Sequence, residues 1–490
     1  MSQTPSSSEK ELMLAELVPP RVLPRVLSRF DLTTIYFALI FGSYGAAQMA
    51  GKGWAGISMM TLAAVTFLLP CALVSYELGT LFPGEGGIYI WAHKAFGPIH
   101  GFIAGWLSWA PIFLLLPLGA TVIVAHLQVA VGHQWPLWGQ VAAQMLIVWM
   151  VVAISIVGLR LSQWYVKLMF FVALGTAVIV FVAGLASHTK ANPVNADIVS
   201  LDIGKYGALY SAAILWLLGV EIPFNMGAEV KDVKKAAGTM MLWGSLALLV
   251  GYYLGIIGIL YTTPLDSIDG TTGVALAAAR AFPALGIVVA LGICLAVASQ
   301  DVAYMNAYSR LLFVSGIERR MPAVMGQVQP RSRVPIPAML VQGLGSSLVI
   351  LIFSTQTHLA TAFNLYIAAL VTVWCSSLFY LYAGIIKVRK SHAGLYEEGR
   401  QRVWKIPGGS AGAWFIAVWG AIFNALAIWY VFALPLSSDI SALRWRLWLG
   451  GISGVIGLAG IWIFLQSRRR VAAIRVDEEL QKYAHFGDSE

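Results

Sequence analysis

Several chemistry-bearing residues of this chain stand inside long apolar runs, where a hydrocarbon environment should reject them. Glu221 lies between Gly219 and Pro223 in residues 215–225, an otherwise apolar run closed by Asn225. Proline has no amide proton, and its ring clashes with the carbonyl four residues back, here that of Gly219. A helix through this point loses a hydrogen bond beside a carboxylate. An unpaired carboxylate at membrane depth costs several kcal/mol or takes up a proton. Glu221 therefore reads in two ways, as a cap on broken backbone or as a protonatable gate or substrate contact.

Residues 41–51 carry a second such cluster. Gly42, Gly45 and Gly51 weaken a helix there, and Ser43, Tyr44 and Gln48 are polar in mid-run. Small residues of this kind allow close helix packing, or they mark an unwound stretch whose free backbone groups bind a ligand. A third group joins Lys167 to Gln300, Asp301 and Tyr304. Asp301 and Tyr304 share a helix face at three-residue spacing. Lys167 either snorkels to a nearby membrane surface or faces a cavity or a partner. Asp301 would neutralise a cationic substrate or Lys167, or line a watery crevice.

The rest of the sequence says what must position these groups. Of the 490 residues, 59% are hydrophobic and only 11% are charged, against about 25% charged in an ordinary soluble domain. So little polar surface excludes a soluble single-domain enzyme and a disordered or fibrous chain, and leaves a multi-pass membrane protein. Twelve runs are apolar over about the 20 residues that a crossing needs. They fall at 32–50, 56–79, 99–130, 138–158, 164–185, 207–229, 238–262, 284–314, 336–354, 359–386, 411–433 and 445–467. Residues 1–30 are polar, contain Pro19, Pro20 and Pro24, and do not read as a signal peptide.

With the N-terminus placed inside, 24 of the 32 Lys and Arg residues fall in inside segments and six outside, and Lys167 and Arg310 lie within spans. A bias that alternates loop by loop supports twelve crossings with both termini cytoplasmic. The net charge of +9 is thus read as topology, and no nucleic-acid partner is expected. Cys71, Cys294 and Cys375 all lie in apolar runs and read as small buried hydrophobes.

The two interrupted runs are spans one and six, five apart. Interrupted helices at corresponding positions of two halves point to a transporter built from inverted repeats. The expected fold is an all-α polytopic membrane protein in which spans 1–5 and 6–10 form the repeats and spans 11–12 are appended. The expected organisation is a cytoplasmic segment 1–30, a core 31–390 with repeats at about 31–190 and 205–390, a loop 391–408, helices at 409–467 and a tail 468–490.

With those residues in place, the chain resembles the amino acid–polyamine–organocation transporters over residues 30–466. The resemblance rests on an ordered set of pieces: Glu77-Leu78-Gly79, Pro83-Gly84-Glu85-Gly86-Gly87-Ile88-Tyr89, Ala95-Phe96-Gly97, Gly219-Val220-Glu221, Glu229-Val230-Lys231, and Ser309-Arg310 followed by Pro335. Gly158, Lys167 and residues 406–409 are similar to the bacterial glutamate/γ-aminobutyrate antiporter branch. Ser43-Tyr44-Gly45-Ala46 and Gln300 depart from that branch.

The resemblance implies alternating access. A ligand carboxylate would meet the amides of a half-helix at Ser43, Tyr44, Gly45 and Ala46, and its ammonium would meet Trp216, Leu217, Gly219 and Glu221. Lys167 would stand in for a sodium ion, so that coupling, if any, is to protons. The reading is a secondary transporter of amino acids, antiporter or proton-coupled symporter, in the plasma membrane. Its alternative is a carrier of polyamines or cationic amino acids, in which Asp301 and Glu221 neutralise two ammonium groups. A sensor on the same scaffold is a further possibility, weakened by the lack of a soluble signalling domain. No catalytic residues, metal or cofactor are expected: His93, His100, His126 and His133 are scattered, and no Gly-x-x-x-x-Gly-Lys phosphate loop occurs.

Overall fold

The computed structural model describes residues 13–187, 190–354, 359–397, 404–436 and 440–471. The secondary structure among them is helical, with two isolated bridges, Leu27 with Val230 and Glu85 with Met226. Helices dominate because backbone groups in hydrocarbon must find partners within their own segment. Ten helices among the described residues are long and apolar enough to cross a membrane. They are the expected spans two to five and seven to twelve.

Spans one and six are missing from that set because each is broken. Span one consists of Arg29–Ile40 and Ser43–Ala50. Span six is Ile203–Leu215, an irregular stretch, then the single turns Ile222–Asn225 and Gly227–Glu229.

The two halves repeat one order of elements. Each begins with its broken span. A long span follows, Ala55–Leu81 in the first half and Val233–Thr262 in the second. Both long spans carry one π-helical turn, Ala64–Leu68 and Met240–Gly244. Each is followed by a short helix, Gly87–Phe96 or Gly273–Ala281. Three more spans complete each half: Pro98–Val131, Leu137–Ile156 and Leu159–Ala186, then Pro283–Ile317, Ile336–Phe353 and Leu359–Ser391. The architecture is therefore two five-span repeats with spans eleven, Gly409–Ala433, and twelve, Ala442–Val471, appended.

The short helices Gly87–Phe96 and Gly273–Ala281 were not expected from hydropathy, because each is too short to cross. Span three also differs from the single run expected: it bends between Trp109 and Ile112, where Pro111 removes a backbone donor.

Burial separates core from rim. The most apolar window of span three is 83% buried and that of span ten 72%, against 28% for span eleven and 17% for span twelve. The rest of the chain thus covers little of spans eleven and twelve, consistent with an appended pair. The halves interlock, with span five lying along span seven and span three along span eight. Gly184 and Gly258 let spans five and seven approach: a Cβ on Gly258 would come within 2.6 Å of the Val180 carbonyl.

The segment before span one departs from the polar reading of residues 1–30. Its described part packs beneath the helices, with Ala15, Val18 and Val22 fully buried. The amide of Ala15 donates to Glu318, and Glu16 pairs with Lys94 at 2.8 Å. Its end joins the backbone after span six, the Leu27 amide donating to the Glu229 carbonyl and the Lys231 amide to that of Leu27.

A side chain at the crossing of spans five and seven must push two backbones apart. Gly258→Val should cost on the order of 1–3 kcal/mol and lower the Tm of the purified protein. Gly175→Ala on span five, where a Cβ meets nothing within 4 Å, should leave Tm unchanged.

Candidate functional site

The break in span one is short. Phe41 and Gly42 are extended, at φ/ψ of −79/107 and −112/109 degrees. Unwinding frees backbone groups, and a buried carbonyl without a partner costs about 1–3 kcal/mol. Three successive carbonyls here are held by side chains from the other half. Tyr304 Oη donates to Leu39, Tyr252 Oη to Ile40 at 3.0 Å, and Gln300 Nε2 to Phe41 at 3.4 Å. The Tyr252 hydroxyl also accepts the Gly42 amide at 3.2 Å. Spans seven and eight therefore hold the break open.

Ser43, Tyr44, Gly45 and Ala46 form the first turn of the second half-helix rather than an unwound stretch. The glycine-marked run 41–51 thus contains only a two-residue break. The first amides of a helix have no partners within it, and the macrodipole adds positive potential at that end. The turn faces span six. The Tyr44 ring stands edge-on to Trp216, with centroids 5.1 Å apart, and its hydroxyl donates to Gln300 at 3.3 Å. Gly45 lies under the Trp216 ring, which a Cβ there would meet at 2.6 Å. Trp216 Nε1 donates to Gln48 at 2.8 Å. Trp216 thus joins the two breaks, a role that spacing alone did not distinguish from a lipid-facing indole.

In span six the α-helix ends at Leu215. Gly219 has φ of 110 degrees, a conformation that a side chain strains. It lies against Ile40 of span one and Trp374 of span ten, so the breaks meet. Leu217 is buried and its amide closes a tight turn on Ile214. The Glu221 carboxylate is fully buried. One oxygen accepts Trp374 Nε1 at 2.7 Å, and the other has no hydrogen-bond partner. Glu221 is therefore not half of an ion pair among the described residues.

The remaining candidates lie further out. Tyr304 reaches the break, whereas Asp301, one turn earlier, faces span three. Its carboxylate fills the space beside Gly119, and one oxygen has no partner. Lys167 pairs with Asp31 at 2.9 Å, and its side chain is 32% exposed. Asp31 lies eleven residues before Gly42, about three helical turns, so this pair sits below the break rather than in it.

One charge network was not assembled from the sequence. Arg310 on span eight is fully buried and makes a bidentate pair with Glu229, Nε to Oε2 at 3.0 Å and Nη2 to Oε1 at 2.9 Å. Glu85 lies 3.9 Å from Arg310 and accepts the Ala228 amide. The signal was present: an arginine inside an apolar span must have a partner. The network ties span eight to the ends of spans two and six, below the breaks.

Two interrupted spans in contact at their breaks, with the opening amides of a half-helix in one and a buried acid in the other, suit a small charged solute. Residues 27–458 match the amino acid permease family. The chain belongs to that family, and it is a membrane transporter.

This permease is 25% identical over 406 residues to an uncharacterised transporter of Legionella pneumophila, across 79% of this chain and 85% of that protein. It is 25% identical over 254 residues to a probable agmatine/putrescine antiporter of Lactococcus lactis, across 50% of this chain and 54% of that one. A probable polyamine transporter of Arabidopsis thaliana is 24% identical over 399 residues, across 79% and 77% of the two chains. Among solved structures, a manganese transporter of Eremococcus coleocola has the same fold, with a TM-score of 0.59 at 12% identity over 99% of this chain and 98% of that one.

The contact between Gly45 and Trp216 gives a direct test in the permease. Gly45→Ala should displace the indole and its bond to Gln48. A misplacement of about 1 Å can cost on the order of a hundredfold. Uptake into proteoliposomes should fall at least about tenfold, with the helical circular-dichroism signal unchanged.

Proposed function

We propose that this permease moves a small amine-bearing solute, an amino acid in the first reading, by alternating access. The solute sits between the breaks of spans one and six. The observation that carries this is Glu221: a buried carboxylate with one oxygen lacking a partner, beside broken backbone, is ready to accept an ammonium. The amides at Ser43 and Tyr44 suit the carboxylate at the other end of an amino acid. Trp216 closes over the solute, and the Arg310–Glu229 pair with Glu85 shuts the path below it. Opening that side requires the network to separate.

A second reading is a polyamine or cationic amino acid. Asp301 favours it, because its buried oxygen without a partner offers a second place for positive charge. The relatives named for agmatine, putrescine and polyamines point the same way. The two readings differ in what balances the far end of the solute, the half-helix amides or Asp301.

Lys167, paired with Asp31, belongs to coupling rather than to binding. Its charge holds the foot of span one through the pair with Asp31 at 2.9 Å. Both termini face the cytoplasm of a plasma membrane, on the strength of the 24-to-6 distribution of basic residues.

Counterflow in proteoliposomes with labelled amino acids, putrescine and agmatine separates the readings. Glu221→Gln should lower uptake of the true solute by at least about tenfold, the scale of a charged hydrogen bond of 1.5–3 kcal/mol. Asp301→Asn should abolish amine uptake and spare neutral amino acids if the second reading holds. Counterflow of none of these solutes would overturn both.

Coupling is read separately, from substrate-driven alkalinisation outside the vesicles. Lys167→Ala should remove that proton movement while exchange continues. Coupling equal to wild type would leave the lysine an anchor.

A further inference from the structure

Away from the breaks, on the face that carries the N-terminal segment, two cavities adjoin around Val26 and Arg160. The first, of 290 Å³, is lined by Arg25, Arg160, Lys167 and Lys231, with Asp31 and Gln163. The second, of 490 Å³, runs from Arg160 past Arg331 and Arg333 to Leu161 and Trp164. Together they gather Arg25, Arg160, Lys167, Lys231 and Arg331 around one carboxylate, Asp31, which is already paired with Lys167. Like charges repel one another unless something negative lies among them.

Two independent features show that this is more than a charged surface. Gln163 is 3% exposed and lines the smaller cavity, yet neither its amide nitrogen nor its oxygen has a hydrogen-bond partner. A buried amide left in that state costs free energy unless a ligand or water meets it. The 28-residue helix of span five also begins here, at Leu159, so its first amides and the positive end of its dipole face the same space. Val157, Leu161 and Trp164 continue outward from the site and are 60%, 61% and 63% exposed. That is an apolar lane with an indole at its head, as expected where acyl chains leave the interface.

We propose that this cleft is a phosphate-binding site, filled by the headgroup of an anionic phospholipid whose chains run along Leu161 and Trp164. Basic pockets between spans, joined to an apolar exit, suit an anionic headgroup better than a zwitterionic one. The phosphate contacts Arg160 and the span-five amides, with Arg331 closing over it and the Gln163 amide donating from below. An inorganic phosphate from solution satisfies the same polar groups without the lane.

The test is a binding titration on the full-length protein in detergent with dioctanoyl phosphatidylglycerol, dioctanoyl phosphatidylcholine and inorganic phosphate. Phosphatidylglycerol should bind and phosphatidylcholine should not. At about one kcal/mol per interfacial base, Arg160→Gln should weaken binding about fivefold and the double variant with Arg331→Gln about thirtyfold. Both side chains are exposed, and unchanged elution and helical signal would show that the variants fold.

Gln163→Leu leaves the charge untouched and should also weaken binding about fivefold, the loss of roughly one hydrogen bond. If inorganic phosphate alone binds as tightly as the lipid and is lost in the same variants, the site stands and its ligand comes from water. Equal binding of phosphatidylglycerol to wild type and all three variants, or binding of neither anion, overturns the proposal. So does Gln163→Leu binding as wild type, because charge alone would then suffice.

Discussion

The structure depends on the cost of leaving backbone polar groups unpaired in hydrocarbon. A membrane helix can be broken only where something else takes up the groups that the break releases. Here the carbonyls of Leu39, Ile40 and Phe41 are taken up by Tyr304, Tyr252 and Gln300, all from the second half of the chain. The break and the packing that stabilises it are therefore one feature. The first half alone could not hold the break in span one.

The same condition explains why the polar groups divide as they do. Backbone groups released toward spans seven and eight are saturated. The half-helix that opens at Ser43 lies against Trp216 of span six, and one oxygen of buried Glu221 has no hydrogen-bond partner. At the junction the indole of Trp216 lies against Gly45 and that of Trp374 against Gly219. Below it lies a bidentate ion pair on buried Arg310. Breaking a buried pair of this kind is costly, typically 3–5 kcal/mol when one partner is lost.

Much of this was legible because membrane insertion acts on local properties. Apolar length located the spans, and the two that fell short of a continuous helix were those marked by Gly42 and by Gly219 with Pro223. Proline and glycine act on their own backbone, so the span-six break could be read from three residues. The span-one break could not be read as closely. The run 41–51 is permissive of unwinding throughout, and the two residues that unwind were chosen by hydroxyl and amide groups more than 200 positions away. The helices Gly87–Phe96 and Gly273–Ala281 escaped notice because hydropathy registers crossings, whereas these lie between them.

Side-chain partnerships divide along the same line. Residue type alone marked Glu221, Asp301, Lys167 and Arg310 as charges needing an explanation, because burial of a charge is costly wherever it happens. Which group answers each charge was a matter of packing. Trp374 meets Glu221, Asp31 meets Lys167, Glu229 meets Arg310, and Gly119 makes room for Asp301. Composition and hydropathy thus settled the environment, the number of crossings and the places of weakness, since these follow from transfer energies summed along the chain. The fold settled which weak places open, what they face and which charges stay without a partner, since those depend on distances between segments that sequence order does not contain.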